Sequence, residues 1–258
     1  MPAPINPFKA ALKNGELQIG CWLSMANGYA AEISATAGFD WLLIDNEHAT
    51  NDLRSTRDQL TMIDASDSHP AVRVPVGEAW IIKQMLDAGA QTILVPMVES
   101  GAQAEQLVRA VRYPPAGMRG VGPTTARASR FGQTKDYIPT ADEQICLLVQ
   151  VENRAGLAAL DDILAVDGVD GVFIGPADLA ADLGHLGNPG APEVQAAIKD
   201  TFERIARSDK ASGTLATDPA FAKHCIDLGA TFVATAMDVT LFANAVRGAA
   251  SDSEKLRG

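Results

Sequence analysis

Several apolar runs in this 258-residue chain end in side chains able to do chemistry. Asp45-Asn46-Glu47-His48 closes the run at 41–47, and Arg73 lies near the end of 70–75. Gln150-Val151-Glu152 closes 145–152. The run 171–175 leads into Gly175-Pro176-Ala177-Asp178, and Leu215-Ala216 closes 212–216. A lone carboxylate at the end of a buried run is costly to desolvate, so Glu152 and Asp178 need a partner. Two carboxylates without a His or Cys cluster suit a hard, oxygen-preferring divalent cation. Two protein ligands leave about four positions for water and substrate. The same residues also admit a structural reading, in which Asp178 caps a short helix after Gly175-Pro176 and Glu152 pairs with an arginine.

His48 follows two acids, Asp45 and Glu47, and a histidine oriented by a carboxylate is a common general base. Arg73 at a strand end can neutralise a developing oxyanion, or simply pair with one of those acids. No lysine ends a run. Lys83 and Lys210 flank elements instead. A Schiff-base aldolase needs a strand-borne lysine, so metal-assisted enolate chemistry is favoured over imine chemistry. The other histidines, His69, His185 and His224, fall in polar or helical contexts.

The runs that position these residues are 19–25, 41–47, 70–75, 92–97, 145–152, 171–175, 212–216 and 231–237. They are nearly continuous in Val, Ile and Leu, the mark of strands buried on both faces of a parallel sheet. Amphipathic segments alternate with them. One runs from Asn27 to Gly38, followed by 52–65, 78–88, 101–112, 153–165, 193–208, 218–228 and 238–248. Several end in Gly before the next strand, a helix C-cap signal. Eight βα units in about 250 residues predict an α/β fold, a TIM (β/α)8 barrel, as one domain over 1–258. A doubly wound sheet is the alternative, but no GxGxxG follows the first strand. Active sites of TIM barrels lie at the C-terminal ends of the strands, where the chemistry above collects. The Gly-, Pro- and Arg-rich stretch 113–144 is long for a loop, and such stretches tend to be functional.

Composition narrows the class. Hydrophobic residues make up 47%, and 21 basic against 32 acidic residues give a net charge of −11. That excludes a disordered or disulfide-scaffold chain and argues against a nucleic-acid binder. No apolar run approaches the ~18 residues of a membrane span, and the first residues lack a signal-peptide pattern. Cys21, Cys146 and Cys225 are odd in number and far apart, as expected of buried thiols in a cytoplasmic protein rather than a catalytic nucleophile.

FDWLLIDNEHA (39–49), TILVPMV (92–98), RYPPAGMRGVG (112–122), LLVQVE (147–152) and GVDGVFIGPADLAADLG (168–184) together resemble the HpcH/HpaI aldolase family, metal-dependent class II pyruvate aldolases. The likeness spans residues 5–248. It implies a barrel whose last helix is exchanged between subunits of a homohexamer, a trimer of dimers. It implies reversible cleavage of 4-hydroxy-2-oxo acids to pyruvate, or a related 2-oxo acid such as hydroxypyruvate, and an aldehyde. By resemblance, Glu152 and Asp178 hold Mg, Mn or Co. His48 is the base, with Asp45 as its partner and Asp87 raising its basicity, and Arg73 stabilises the enolate. Gln150, Ala177 and Asp178 contact the oxo acid, and the backbone after Gly175 and Pro176 holds its carboxylate at a helix N-terminus. Leu215 packs against the aldehyde. Many relatives have Gly at the position of Asn46, which here either adds a hydrogen bond or crowds the mouth. Residues 119–122 and Arg127 resemble the region that faces the aldehyde, from the same or a neighbouring subunit, with Arg127 either pairing an acceptor carboxylate or solvated.

On this reading His48, acting with water, removes the C4 hydroxyl proton, the C3–C4 bond breaks, and a pyruvate enolate is left beside Arg73. The rivals are a decarboxylase or an acyl-CoA lyase using the same enolate, and a non-catalytic barrel that senses an oxo acid. The acidic surface offers no obvious nucleotide site for the thioester lyase.

Overall fold

A computed structural model describes residues 1–257. All eight apolar runs become strands, with ends moved by no more than two residues. They are β1 (Gln18–Leu23), β2 (Trp41–Asp45), β3 (His69–Arg73), β4 (Thr92–Val95), β5 (Cys146–Val151), β6 (Gly171–Ile174), β7 (Ala211–Leu215) and β8 (Phe232–Met237). Every neighbouring pair is parallel and β8 closes on β1, so the sheet is a TIM barrel.

Side chains alternate along each strand, so one set fills the barrel and the other faces the helices. Trp41, Leu43, Ala71, Cys146, Leu148 and Phe173 lie in the inner cluster. Leu42, Ile44, Val72, Leu147, Val149 and Val172 belong to the outer one. The same parity carries Asp45, Arg73, Gln150 and Glu152 to the inner side of the mouth and turns Asn46 outward. Periodicity of two is therefore what aims the chemistry.

The helices surround this sheet, with differences from the expectations. An unanticipated α1 (Pro7–Lys13) precedes the barrel, opened by the Asn6 side chain, which accepts from the Lys9 N–H at 2.9 Å. Seven residues are too few for a clear helical period in sequence. Phe8 on α1 enters the barrel floor. Its ring stacks on His69 (5.6 Å between centroids, 5° between planes) and meets Trp41 and Phe232. His69 thus does not lie in a polar setting. It opens β3 buried, its Nε2 2.8 Å from Thr92 Oγ1, and burial pushes its imidazole down to about 4.

Next come α2 (Gly28–Ala35), α3 (Leu53–Ile63), α4 (Ala79–Ala88) and α5 (Gly101–Val111). Asp52 caps α3 in a capping box with Ser55, and Gly89 ends α4 in the left-handed region at φ 113°. The stretch 113–144 ends in α6 (Tyr137–Gln144). The segment read as one helix over 153–165 is two, α7 (Arg154–Ala158) and α8 (Leu160–Leu164), joined at Ala159. Then follow α9 (Pro176–Asp182), α10 (Pro192–Ile205), α11 (Pro219–Asp227) and α12 (Asp238–Glu254). In α12 only Asp238 is buried, its carboxylate accepting from the Ser24 and Met25 N–H groups. Beyond it Leu241, Phe242 and Val246 are exposed. The three cysteines are buried and free, and burial pushes the Cys21 and Cys225 thiols up to about 12. No helix among the described residues is long and apolar enough to cross a membrane.

Candidate active site

At the C-terminal rim of the barrel, β2 and β3 bring Asp45 and Arg73 side by side; they are register partners. The pair is bidentate: Arg73 Nε donates to Asp45 Oδ1 at 2.9 Å and Nη2 to Oδ2 at 2.7 Å. Arg73 Nη1 lies 2.8 Å from Glu47 Oε2. The guanidinium also sits over the Trp22 ring, 4.8 Å from its centroid, while Trp22 Nε1 donates to Asp45 Oδ2 at 3.2 Å. Burial pushes the Asp45 carboxyl up, but the hydrogen bonds and charge of Arg73 overturn this and leave it below its ordinary value. Arg73 is therefore a clamped, buried cation facing the mouth. Trp22, which completes the clamp, is not apparent in sequence. Its only signal is a polar-tipped aromatic on the inner parity of β1.

Asp45 also organises the turn after β2. Its Oδ1 accepts from the Glu47 and His48 backbone N–H groups at 2.9 and 3.3 Å. This differs from the expected Asp45–imidazole contact: the side chain is committed to Arg73, and it reaches His48 only through the main chain. The imidazole's neighbour is Glu47, with Nε2 4.0 Å from Oε2, and the ring is 65% exposed to the mouth. Asn46 points outward, where its Oδ1 accepts from Thr56 Oγ1 on α3 at 2.8 Å. It does not crowd the mouth.

Across the mouth, β5 presents Gln150 and Glu152, both 2% exposed. Glu152 Oε1 accepts from the Met97 N–H at 2.9 Å, and Oε2 from Gln150 Nε2. Burial pushes the Glu152 carboxyl up; the two hydrogen bonds oppose this, and the charges of Asp178 and Glu47 add to it. Glu47 is likewise raised by burial, with Asp178 among its like-charged neighbours. Three carboxylates thus share one field. Glu152 has no arginine partner among the described residues, and α9, with Gly175 as its N-cap, has no side-chain cap. Asp178 stands in the first turn of α9, exposed at the rim.

Gly175 is required by this packing: a Cβ there would overlap Glu152 Oε2 and lie 3.0 Å from Gln150 Nε2. Gln150 Oε1 is buried without a partner among the described residues. An orphan oxygen beside a raised carboxylate, with Asp178 nearby, is a donor set suited to a hard cation. No group of three His, Cys, Asp or Glu able to hold a metal is present among the described residues. Pro176, Ala177 and Leu215 line an adjoining, largely apolar cavity of about 570 Å³ with Phe221 and Met237.

Asp87 is the expected site residue that the chain does not bring to this mouth. It lies at the C-terminal end of α4, which antiparallel packing places at the opposite end of the barrel. There its Oδ1 accepts from Arg119 Nη2 at 3.0 Å. Arg119 is fully buried, 4.4 Å from the Tyr113 ring centroid. Arg127 also stays away from its own chain's mouth, paired with Asp64 and donating to the Ala88 carbonyl at 3.3 Å. The position of Asp87 late in a βα helix already points to the end of the barrel away from the mouth.

A parallel barrel with a clamped arginine facing clustered carboxylates at its mouth is the arrangement of a barrel enzyme able to stabilise a developing negative charge. The family model described as HpcH/HpaI aldolase/citrate lyase matches residues 18–245, and the chain belongs to that family. It is a carbon–carbon lyase. The chain is 62% identical to a hydroxypyruvate/pyruvate aldolase from Roseobacter denitrificans, over 95% of each chain. It is 52% identical to a 2-keto-3-deoxy-L-rhamnonate aldolase from Salmonella gallinarum, over 93% of this chain and 90% of that one. A crystal structure of a family member from Burkholderia cenocepacia superposes with a TM-score of 0.93 at 40% identity, covering 96% and 99% of the two chains.

Proposed function

We propose that the chain cleaves 4-hydroxy-2-oxo acids reversibly to pyruvate or hydroxypyruvate and an aldehyde. The carrying observation is that Arg73 is clamped by Asp45 and Glu47 on one side of the mouth while Glu152 and Asp178 stand on the other. Aldolases of this family's class II type generally depend on a divalent metal. Here Glu152 and Asp178 would hold Mg, Mn or Co. When bound, the cation supplies a Lewis acid that polarises the keto group.

The protein's own part follows from the geometry. The free N–H groups at the start of α9, after Gly175 and Pro176, receive the substrate carboxylate. His48, the exposed base at the rim, takes the C4 hydroxyl proton. The C3–C4 bond breaks, the aldehyde leaves toward Leu215 and Ala177, and the electron pair passes to the enolate oxygen. Arg73 donates to that oxygen, and its clamp means no reorganisation is needed as charge develops. Protonation at C3 gives the 2-oxo acid. Condensation runs the same steps backwards.

The unit is one domain over 1–258, and it works in the cytoplasm as a homo-oligomer, a hexamer built from dimers. The outward apolar side of α12 supports assembly by exchange of that helix. Cleavage, followed by coupled reduction of the 2-oxo product, tests the chemistry. EDTA should abolish it, Mn²⁺ should restore it, and borohydride with pyruvate should leave it intact. Activity that survives EDTA and is lost to borohydride would overturn the reading.

A further inference from the structure

Met97, on the loop after β4, holds a left-handed backbone with φ 54°, which a side chain of its kind rarely adopts. Its own packing does not explain this, because Met97 is 45% exposed. What the conformation achieves is direction: the Met97 N–H points at Glu152 Oε1, 2.9 Å away. A chain of hydrogen bonds braces the other side of Met97, at its carbonyl. Gln103 Nε2 donates to the Met97 carbonyl at 3.2 Å, and the Glu99 N–H donates to Gln103 Oε1 at 2.8 Å. Asn153 Nδ2 donates to Glu99 Oε1 at 2.6 Å, and Asn153 is the residue after Glu152. The loop also runs against β5, where the Val98 N–H donates to the Gln150 carbonyl at 3.0 Å. Gly156 lets α7 approach, since a Cβ there would lie 2.7 Å from the Val98 carbonyl oxygen. The chain of hydrogen bonds starts at the Met97 carbonyl and ends at Asn153, beside Glu152.

We infer that Glu99 and Gln103, tied to Asn153, are positioning residues that hold the Met97 N–H on Glu152 and so set that carboxylate for a divalent cation. This rests on the reading that Glu152 is a cation ligand. Groups that orient a ligand rather than bind the metal typically change metal affinity by about 10- to 100-fold when removed. Neither Glu99 nor Gln103 is buried, so their replacement leaves the fold in place.

The test is Mn²⁺ binding to the metal-stripped full-length protein, read by electron paramagnetic resonance or calorimetry, with the Tm of the metal-free protein measured beside it. Gln103→Ala and Glu99→Ala should each weaken Mn²⁺ about tenfold with the metal-free Tm unchanged. Saturating Mn²⁺ should return kcat to near its original value. Glu99→Gln keeps the acceptor for Asn153 and should stay within about twofold of the original affinity. Wild-type affinity in both alanine variants overturns the inference, as does Glu99→Gln failing as badly as Glu99→Ala, which would mean that charge and not the hydrogen bond acts. Glu152→Gln is the control. If it binds Mn²⁺ undiminished, the ligand reading itself fails and the inference with it. If it loses Mn²⁺ while the other variants do not, only the positioning role is wrong.

Discussion

The floor and the mouth of this barrel are built from the same strands by the same alternation, yet they carry opposite physics. At the floor, Phe8, Trp41 and Phe232 pack against one another, and the titratable His69 is held neutral by burial. At the mouth, the inner positions carry Asp45, Arg73, Gln150 and Glu152, all buried. Charge there is retained through a bidentate pair, and strain at Met97 holds one of the carboxylates. The floor makes the barrel stable; the mouth concentrates groups that a stability-driven core would exclude. Removing a floor residue should therefore cost folding and spare chemistry, and removing an exposed rim residue the reverse.

The largest expected effect is at the rim. His48→Ala should lower kcat for cleavage by about 10²–10⁴ with little change in Tm, because the ring is mostly exposed. Full activity in this variant would place the base elsewhere. On the floor, Phe8→Ala should cost about 3–5 kcal/mol in denaturant unfolding, since its ring is buried against three aromatic neighbours. Its kcat, measured well below the new midpoint, should hold; a large drop would show that floor and mouth are coupled. Arg73→Lys keeps the charge but cannot make the fork to Asp45, and should reduce kcat by about 10²–10³.

The smallest effect is a slope. His69 titrates at about 4 when folded and near 6.5 when unfolded, so between those values the unfolded chain binds more protons. Stability from this group is complete above pH ~6.5 and is lost as pH falls toward 4, by at most about 3 kcal/mol. His69→Gln should flatten that part of the stability–pH curve. An unchanged slope would mean that another group carries it.

Much of this was legible in the chain. The continuous Val, Ile and Leu runs specify strands buried on both faces, and a Gly ending α4 ahead of β4 marks the βα repeat. Parity along β2, β3 and β5 aims Asp45, Arg73 and Glu152 into one mouth. Two features of the helices were not legible. The N-terminal helix is too short to show a period, and its value lies in what Phe8 touches across the floor. The single helix expected over 153–165 breaks in two at Ala159 with no Gly or Pro at the break to announce it.

The sequence by itself determined which residue types stand at which strand ends, because a period of two and an eightfold βα repeat are properties of neighbours along the chain. Only the tertiary structure decided their partners. Asp45 serves Arg73 and Trp22 rather than the imidazole. Asp87 answers Arg119 at the far end of the barrel. Glu152 takes its orientation from the N–H of Met97, fifty-five residues away in the chain. The reason is physical: periodicity is set by local backbone geometry, whereas pairing of buried charges depends on distances between elements that only closure of the barrel defines.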